Sequence, residues 1–284
     1  MPGMQAIKYC LISVQLLMVL NGCSSDKPVE ISEKIEIAVS FSTYKNFVNE
    51  VGGDKVDVIS MLPSGISPPE FDPIPSSLMK LAGAKYYLGV GDFFEFEKIW
   101  IEKLKGVNPS VKVYDTSKDL EELDHNHHVW NGTDEVKIIT RNIKNILCAV
   151  DSSNKTYYEE NYKSYIEKLD SVDQFVKKQF ASLKHRTILT YHPAWLYYAE
   201  TYGLEQLSVE DHGREPNTKD LMELIIKARQ LKLKAVFIQP QFSSNTAEVI
   251  ARDINAELVV IDPLPDNFIE NLIDITNKIM RYAP

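Results

Sequence analysis

The chain has 284 residues, enough for one large domain or two ordinary ones. With 44% hydrophobic and 25% charged residues it has the composition of a globular protein. Its net charge of −9 argues against a nucleic-acid or anionic-membrane surface and suits a protein that meets cations.

The start of the chain is read as targeting sequence rather than fold. Lys8 is the only charge before Asp26, and Tyr9 to Leu20 is mostly apolar but too short to span a bilayer. Small residues follow at Asn21-Gly22. Residues 1–22 therefore read as a secretory signal. Cys23 directly after Gly22 resembles a bacterial lipobox, which implies cleavage before Cys23 and diacylation of its thiol. Residues 23–33 then form a polar, lipid-anchored tether. Of the three cysteines, Cys10 leaves with the signal, Cys23 carries lipid and Cys148 has no partner. Neither a disulfide framework nor a thiolate metal site is expected.

From Lys34 to Val150, β-rich and helical patterns alternate. Lys34–Phe41 and Lys55–Leu62 read as strands around a helix from Thr43 to Val51, which Gly52-Gly53 ends. Pro63–Pro75 is a loop dense in proline and glycine. A helix over Ser76–Ala84 is expected, capped by Ser76 or Ser77. Then come a strand at Lys85–Val90, a helix at Phe94–Lys105 and a strand at Val111–Tyr114. A polar loop leads to Asp124-His-Asn-His-His-Val-Trp130, and a helix covers Asp134–Val150. This order predicts an N-terminal α/β lobe, residues 34–150, with a mainly parallel sheet.

Residues 151–184 differ. Tyr158, Tyr162, Tyr165, Leu169, Val172 and Val176 form one narrow stripe at steps of four and three, uninterrupted by Gly or Pro. About thirty residues at ~1.5 Å each give a rod of roughly 45 Å, read as a strut between lobes. A coiled-coil segment is the alternative, but the stripe covers few heptads.

Alternation resumes over residues 185–284, the C-terminal lobe. Strands are expected at Thr187–Thr190, Gln206–Val209, Ala235–Ile238 and Glu257–Ile261. Helices are expected at Ala194–Tyr202, after an Asn217 or Thr218 cap, at Ser244–Ile254 and at Asn267–Met280. Pro193 fits the first turn of its helix. The fold class is thus α/β: two parallel-sheet lobes joined by one long helix, with a cleft between strand ends. Gly89-Val-Gly91 lacks the spacing of a phosphate-binding loop.

In open α/β sheets, ligands bind beyond the carboxyl ends of the strands. Four places fit: Glu70 in the proline-rich loop, the His125/His127/His128 cluster, His192 after one strand and Asp262 after another. If the strand before His192 and the strand before Asp262 are parallel neighbours, the two side chains open on one rim. Two imidazoles and one or two carboxylates suit zinc, and acceptably manganese or iron. Each residue has a bland alternative. His128 beside Trp130 could pack in a loop, and His192 could be a hydrogen-bonded, partly buried histidine. Asp262 before Pro263 could form a turn. Glu70, His125 and His127 alone read as solvated. Glu210, Asp211 and Glu215 read as loop and helix-start residues, while His185 and His212 carry no signal.

Taken together, TYHPAWLYYAETYGL (190–204), GREPNTKDL (213–221), FIQPQFSSNTAEVIARDINAELVVIDPL (237–264), His128-Val-Trp130 and VGGDKVDVISMLPSGISPPEFDP (51–73) resemble a family. It is that of the metal-binding lipoproteins of bacterial ABC importers for zinc and manganese (ZnuA/TroA-like). The resemblance runs from about Glu36 to Met280. It implies two α/β lobes on one long helix, with His128, His192 and Asp262 as metal ligands. The first loop departs from the family pattern: Pro69 stands where a histidine is usual, and Glu70 is the substitute. The family's His-rich loop shrinks to Asp124-His-Asn-His-His, where His125 or His127 could capture metal.

The reading is of an extracytoplasmic, monomeric, lipid-anchored binding protein rather than an enzyme. It takes a divalent transition metal, zinc ahead of manganese, to a permease driven by a cytoplasmic ATPase. Gln239 and Gln241 read as cleft-lining groups behind the ligands. The alternatives are a metal-dependent hydrolase, which lacks an HExxH, and a surface interaction module with a degenerate metal site.

Overall fold

The computed structural model describes residues 34–210, 214, 216–241 and 245–283. The signal segment, Cys23, the tether, Asp211, His212, Glu215 and Ser244 lie outside the described residues. Residues 34–284 form one compact unit. Among the described residues, no helix is long and apolar enough to cross a membrane.

The first sheet holds β1 (Ile35–Val39), β2 (Val56–Ser60), β3 (Tyr86–Gly89) and β4 (Lys112–Asp115), in the order β2-β1-β3-β4 and all parallel. The second holds β5 (Thr187–Thr190), β6 (Glu205–Ser208), β7 (Ala235–Ile238) and β8 (Glu257–Val260), in the order β6-β5-β7-β8, again parallel. Parallel pairing follows from the helix between successive strands, which returns the chain to the same sheet end. The loops that leave the strands therefore gather at one rim of each sheet.

The helices are α1 (Ser42–Gly52), α2 (Pro75–Lys80), α3 (Phe96–Val107), α4 (Thr133–Val150), α5 (Lys155–Phe180), α6 (Leu196–Tyr202), α7 (Thr218–Gln230), α8 (Asn245–Ile254) and α9 (Phe268–Tyr282). Helix α5 is the expected strut, 26 residues or about 39 Å long. Its buried stripe is Tyr158, Tyr165, Leu169, Val172, Val176 and Phe180, with Tyr162 only half-buried. The stripe packs on α1 and α4 from the first half and on α9 from the second. One apolar core consequently runs through both halves, from Ile37 and Tyr87 in the first sheet to Phe237 and Val259 in the second. A smaller core lies under α7 and α8.

Local chemistry explains the ends. Gly203 takes a left-handed conformation (φ 65°) after α6, where a side chain would be strained. Asn217 caps α7 by accepting from the Lys219 and Asp220 amides. Three expectations need correction. Helix α2 starts at Pro75 with Ile74 in the cap position, because proline's fixed φ suits the first helical residue; neither Ser76 nor Ser77 caps it. Helix α6 starts at Leu196, so Pro193 lies in a tight turn ahead of it. The Pro193 and Ala194 carbonyls accept from Asn126 and Asn131 instead of from a helical turn. Finally, β5 and β8 are not neighbours, since β7 lies between them, although both still open on the same rim.

Candidate metal centre

The strand ends of β5 and β6 build the first part of the site. The ladder pairs Thr190 with Ser208 and continues past the strands, where Glu210 N donates to Tyr191 O at 2.9 Å. Two residues beyond each strand end, His192 and Glu210 therefore meet. Glu210 Oε2 lies 2.8 Å from His192 Nδ1, and the carboxylate is nearly buried, with 7% of its side chain exposed. An ionised carboxylate only accepts, so Nδ1 of His192 carries the proton and Nε2 presents its lone pair.

The second part is the loop before α4. Asn126 Oδ1 accepts from the His128 amide and stands 3.0 Å from His128 Nδ1. The His128 ring packs edge-on against Trp130, which meets Phe41 at a tilt and Phe94 edge-to-face. Burial and the neighbouring His192 push the His128 imidazole well below its ordinary pKa, so the ring is neutral at neutral pH. The two halves converge: Nε2 of His128 and Nε2 of His192 are 3.2 Å apart, with the rings nearly perpendicular at 81°.

Around the pair is a cleft of about 290 Å³. Its lining includes Ser67, Pro68 and Pro69 from the proline-rich loop, Phe94 and Phe96, and Gln239, Gln241, Pro263 and Leu264 from the loops beyond β7 and β8. His125 and His127 also line it, both exposed, with His125 Nδ1 3.5 Å from Glu122. Asp262 sits on the rim beyond β8. Its Oδ1 accepts from Gln241 Nε2 at 3.1 Å and from the Leu264 amide at 3.0 Å. Glu70 ends a 3₁₀ turn, is exposed and is not among the cleft-lining residues, whereas Pro69 is. The structure thus brings His128 and His192 together, whereas Asp262, beyond the end of β8, and Glu70 are both absent from the residues that line the cleft. Among the described residues, no three His, Cys, Asp or Glu side chains form a complete metal-holding set.

Sequence reasoning missed two members of this arrangement. The sequence alone marks Glu210 only as a loop residue, although its position two residues past β6 matches that of His192 past β5. Asn126 carried no signal, since its role depends on a tertiary approach to Pro193.

Comparison with known proteins agrees with this fold. The model of the family described as ZnuA, zinc-uptake complex component A, periplasmic, matches residues 37–281. The manganese ABC transporter substrate-binding lipoprotein PsaA of Streptococcus anginosus is 27% identical over 274 residues, covering 89% of this chain and 87% of that protein. The high-affinity zinc uptake system protein ZnuA of Bacillus subtilis is 26% identical, with 88% and 85% covered. A crystal structure of a ZnuA superposes with a TM-score of 0.85 at 30% identity, covering 89% of this chain and all of that one. Fold and cleft together define a substrate-binding protein of metal-uptake ABC transporters, not an enzyme. The chain belongs to the ZnuA family.

Proposed function

We propose that this protein captures one divalent transition metal between His128 and His192, zinc ahead of manganese, and hands it to the permease of its importer. The observation that carries this is the 3.2 Å separation of the two Nε2 atoms. Two nitrogens each about 2.05 Å from a shared zinc ion subtend roughly 100° at that separation, near the tetrahedral ~109°. Both Nδ1 positions face acceptors, so both lone pairs point at the same place. Lone pairs so placed repel one another until a cation or a proton comes between them.

Zinc ranks first because the inner donors are imidazoles, while manganese leans toward oxygen. The names of the relatives support either metal: zinc in the Bacillus subtilis protein and manganese in the Streptococcus anginosus one. A ZnuA deletion variant, 30% identical to this chain, is described with zinc bound. Asp262 is the proposed third ligand. Glu70 is the proposed fourth and reaches the ion only if its loop turns inward. His125 and His127 are proposed to capture metal at the cleft mouth. Cys23 is proposed as a lipid anchor holding a monomer outside the cytoplasm; the relatives' description as lipoproteins supports it.

The test is titration of metal-stripped protein with zinc and manganese. Wild type should bind one zinc ion, more tightly than manganese, and His128→Ala and His192→Ala should each lose most of that affinity. Undiminished binding by the double variant would sink the proposal. Unchanged affinity in Glu70→Gln would remove that residue alone.

A further inference from the structure

Asn126 is a buried polar residue, 6% exposed, in a loop the sequence marks only as polar. Its side chain makes three contacts of opposite sense. Oδ1 meets two donors of His128, the amide and Nδ1, each at 3.0 Å. Nδ2 donates to the Pro193 carbonyl at 2.6 Å. The backbone amide cannot accept and the carbonyl cannot donate, so the orientation of the Asn126 amide is fixed by its partners. Nδ1 of His128 then carries the ring proton, and the lone pair lies on Nε2.

The backbone shows that this placement is imposed by the fold. The two preceding residues, Asp124 and His125, both take left-handed conformations, at φ 46° and 52°. Such angles are uncommon outside glycine, though Asn, Asp and His adopt them most readily. Asn126 N donates to Leu123 O at 2.8 Å, and Asn126 O accepts from the Tyr197 hydroxyl at 3.0 Å. The same hydroxyl accepts from Leu123 N at 3.1 Å. Tyr197 stands on α6, just beyond His192, so the Asn126 loop is docked on the segment that carries the other imidazole.

We propose that Asn126 is the positioning residue of the metal site: its one amide fixes the tautomer of His128 and joins the His128 loop to the His192 loop, so the imidazole pair is assembled before metal arrives. This rests on the reading of His128 and His192 as ligands. Glu210 performs the orienting part of the task for His192. Asn126 performs both parts, because Pro193 adjoins His192 in the chain. Groups behind a metal's ligands act in this way, through ring orientation and tautomer, without touching the ion.

The experiment uses full mature protein labelled with ¹⁵N-histidine. Long-range ¹H–¹⁵N spectra of the metal-free form near neutral pH show which ring nitrogen of each histidine is protonated. Zinc affinity is measured against a competing chelator. In wild type, the His128 proton is expected on Nδ1. Asn126→Asp keeps the acceptor and should keep that tautomer. Asn126→Leu removes it: His128 should move toward the Nε2–H form while His192, still held by Glu210, does not. Zinc affinity of Asn126→Leu should fall by about 10- to 100-fold, and that of Asn126→Asp, which keeps Oδ1 but loses the donor to Pro193 O, by an intermediate amount. Should the leucine variant not fold, Asn126→Ala removes both contacts with less bulk and is read the same way. An Nδ1–H His128 in the leucine or alanine variant, with zinc affinity within about twofold of wild type, overturns the proposal. So does loss of the tautomer in Asn126→Asp. Wild type that binds no zinc would instead overturn the ligand assignment, whatever the tautomers.

Discussion

Glu97 is the buried carboxyl that holds the wall of the cleft in shape. Only 2% exposed, it accepts from the Val90 and Gly91 amides at 2.8 and 2.9 Å and from the Ser40 hydroxyl. These bonds fix the turn that leads to Phe94 and Phe96 in the cleft. Burial outweighs the donors and pushes the carboxyl up to about 7 from 4.5. Between those values the folded state holds a proton that the unfolded state has released. Stability from this group is therefore fully present below pH 4.5 and is lost as pH rises through about 7, by about 3 kcal/mol. His128 acts in the opposite sense. Its depressed pKa costs stability as pH falls from 6.5 toward the folded value, where the unfolded imidazole takes up a proton first. Urea unfolding from pH 4.5 to 7.5 should show the Glu97 contribution as a slope that Glu97→Gln flattens. An unchanged slope would mean that Glu97 is ionised throughout. At this scale the sequence was partly legible. His192 could be found because a strand signal and a helix signal bracket it. Glu210 needed the register of β5 against β6, and Asn126 needed a carbonyl 67 residues away; neither relation leaves a local pattern.

Elements were read more securely than residues, for a physical reason. A stripe at helical spacing must be buried somewhere, so Tyr158 to Val176 predicted α5 without knowledge of its partners. What the stripe could not disclose is that α1, α4 and α9 cover it. Leu169 sits at the middle of that contact and is fully buried. Leu169→Ala should cost about 2–5 kcal/mol, measured by denaturant unfolding with m unchanged. A loss below about 1 kcal/mol would show that the strut tolerates a cavity at its centre. The misplaced start of α6 has the opposite lesson. Pro193 is a good first-turn residue by intrinsic preference, yet the Pro193 and Ala194 carbonyls are occupied by Asn126 and Asn131. Tertiary partners displaced the helix start by two residues, and local pattern could not foresee them.

The alternation of strands and helices made the two-sheet architecture legible, but not the degree to which the halves share one interior. The core crosses from one sheet to the other, and loops are exchanged at the rim. The Ser42 and Thr43 hydroxyls donate to the Leu264 and Pro265 carbonyls, while Trp130 Nε1 donates to Pro263 O at 2.8 Å. The strut contains no Gly or Pro, the usual origins of a bend. Metal binding should therefore leave the overall dimensions almost unchanged. Small-angle scattering of metal-stripped and zinc-loaded protein should give the same radius of gyration within error, and a clear contraction would show a hinge. Three hydrogen bonds of the seam around the site also share a one-sided chemistry. Their donors are the side chains of Asn126, Asn131 and Trp130, whereas their acceptors are the main-chain oxygens of Pro193, Ala194 and Pro263. A main-chain oxygen survives almost any replacement of the residue that bears it. Random mutation should thus find these three bonds fragile from one bank and forgiving from the other, where Tyr197 is the exception.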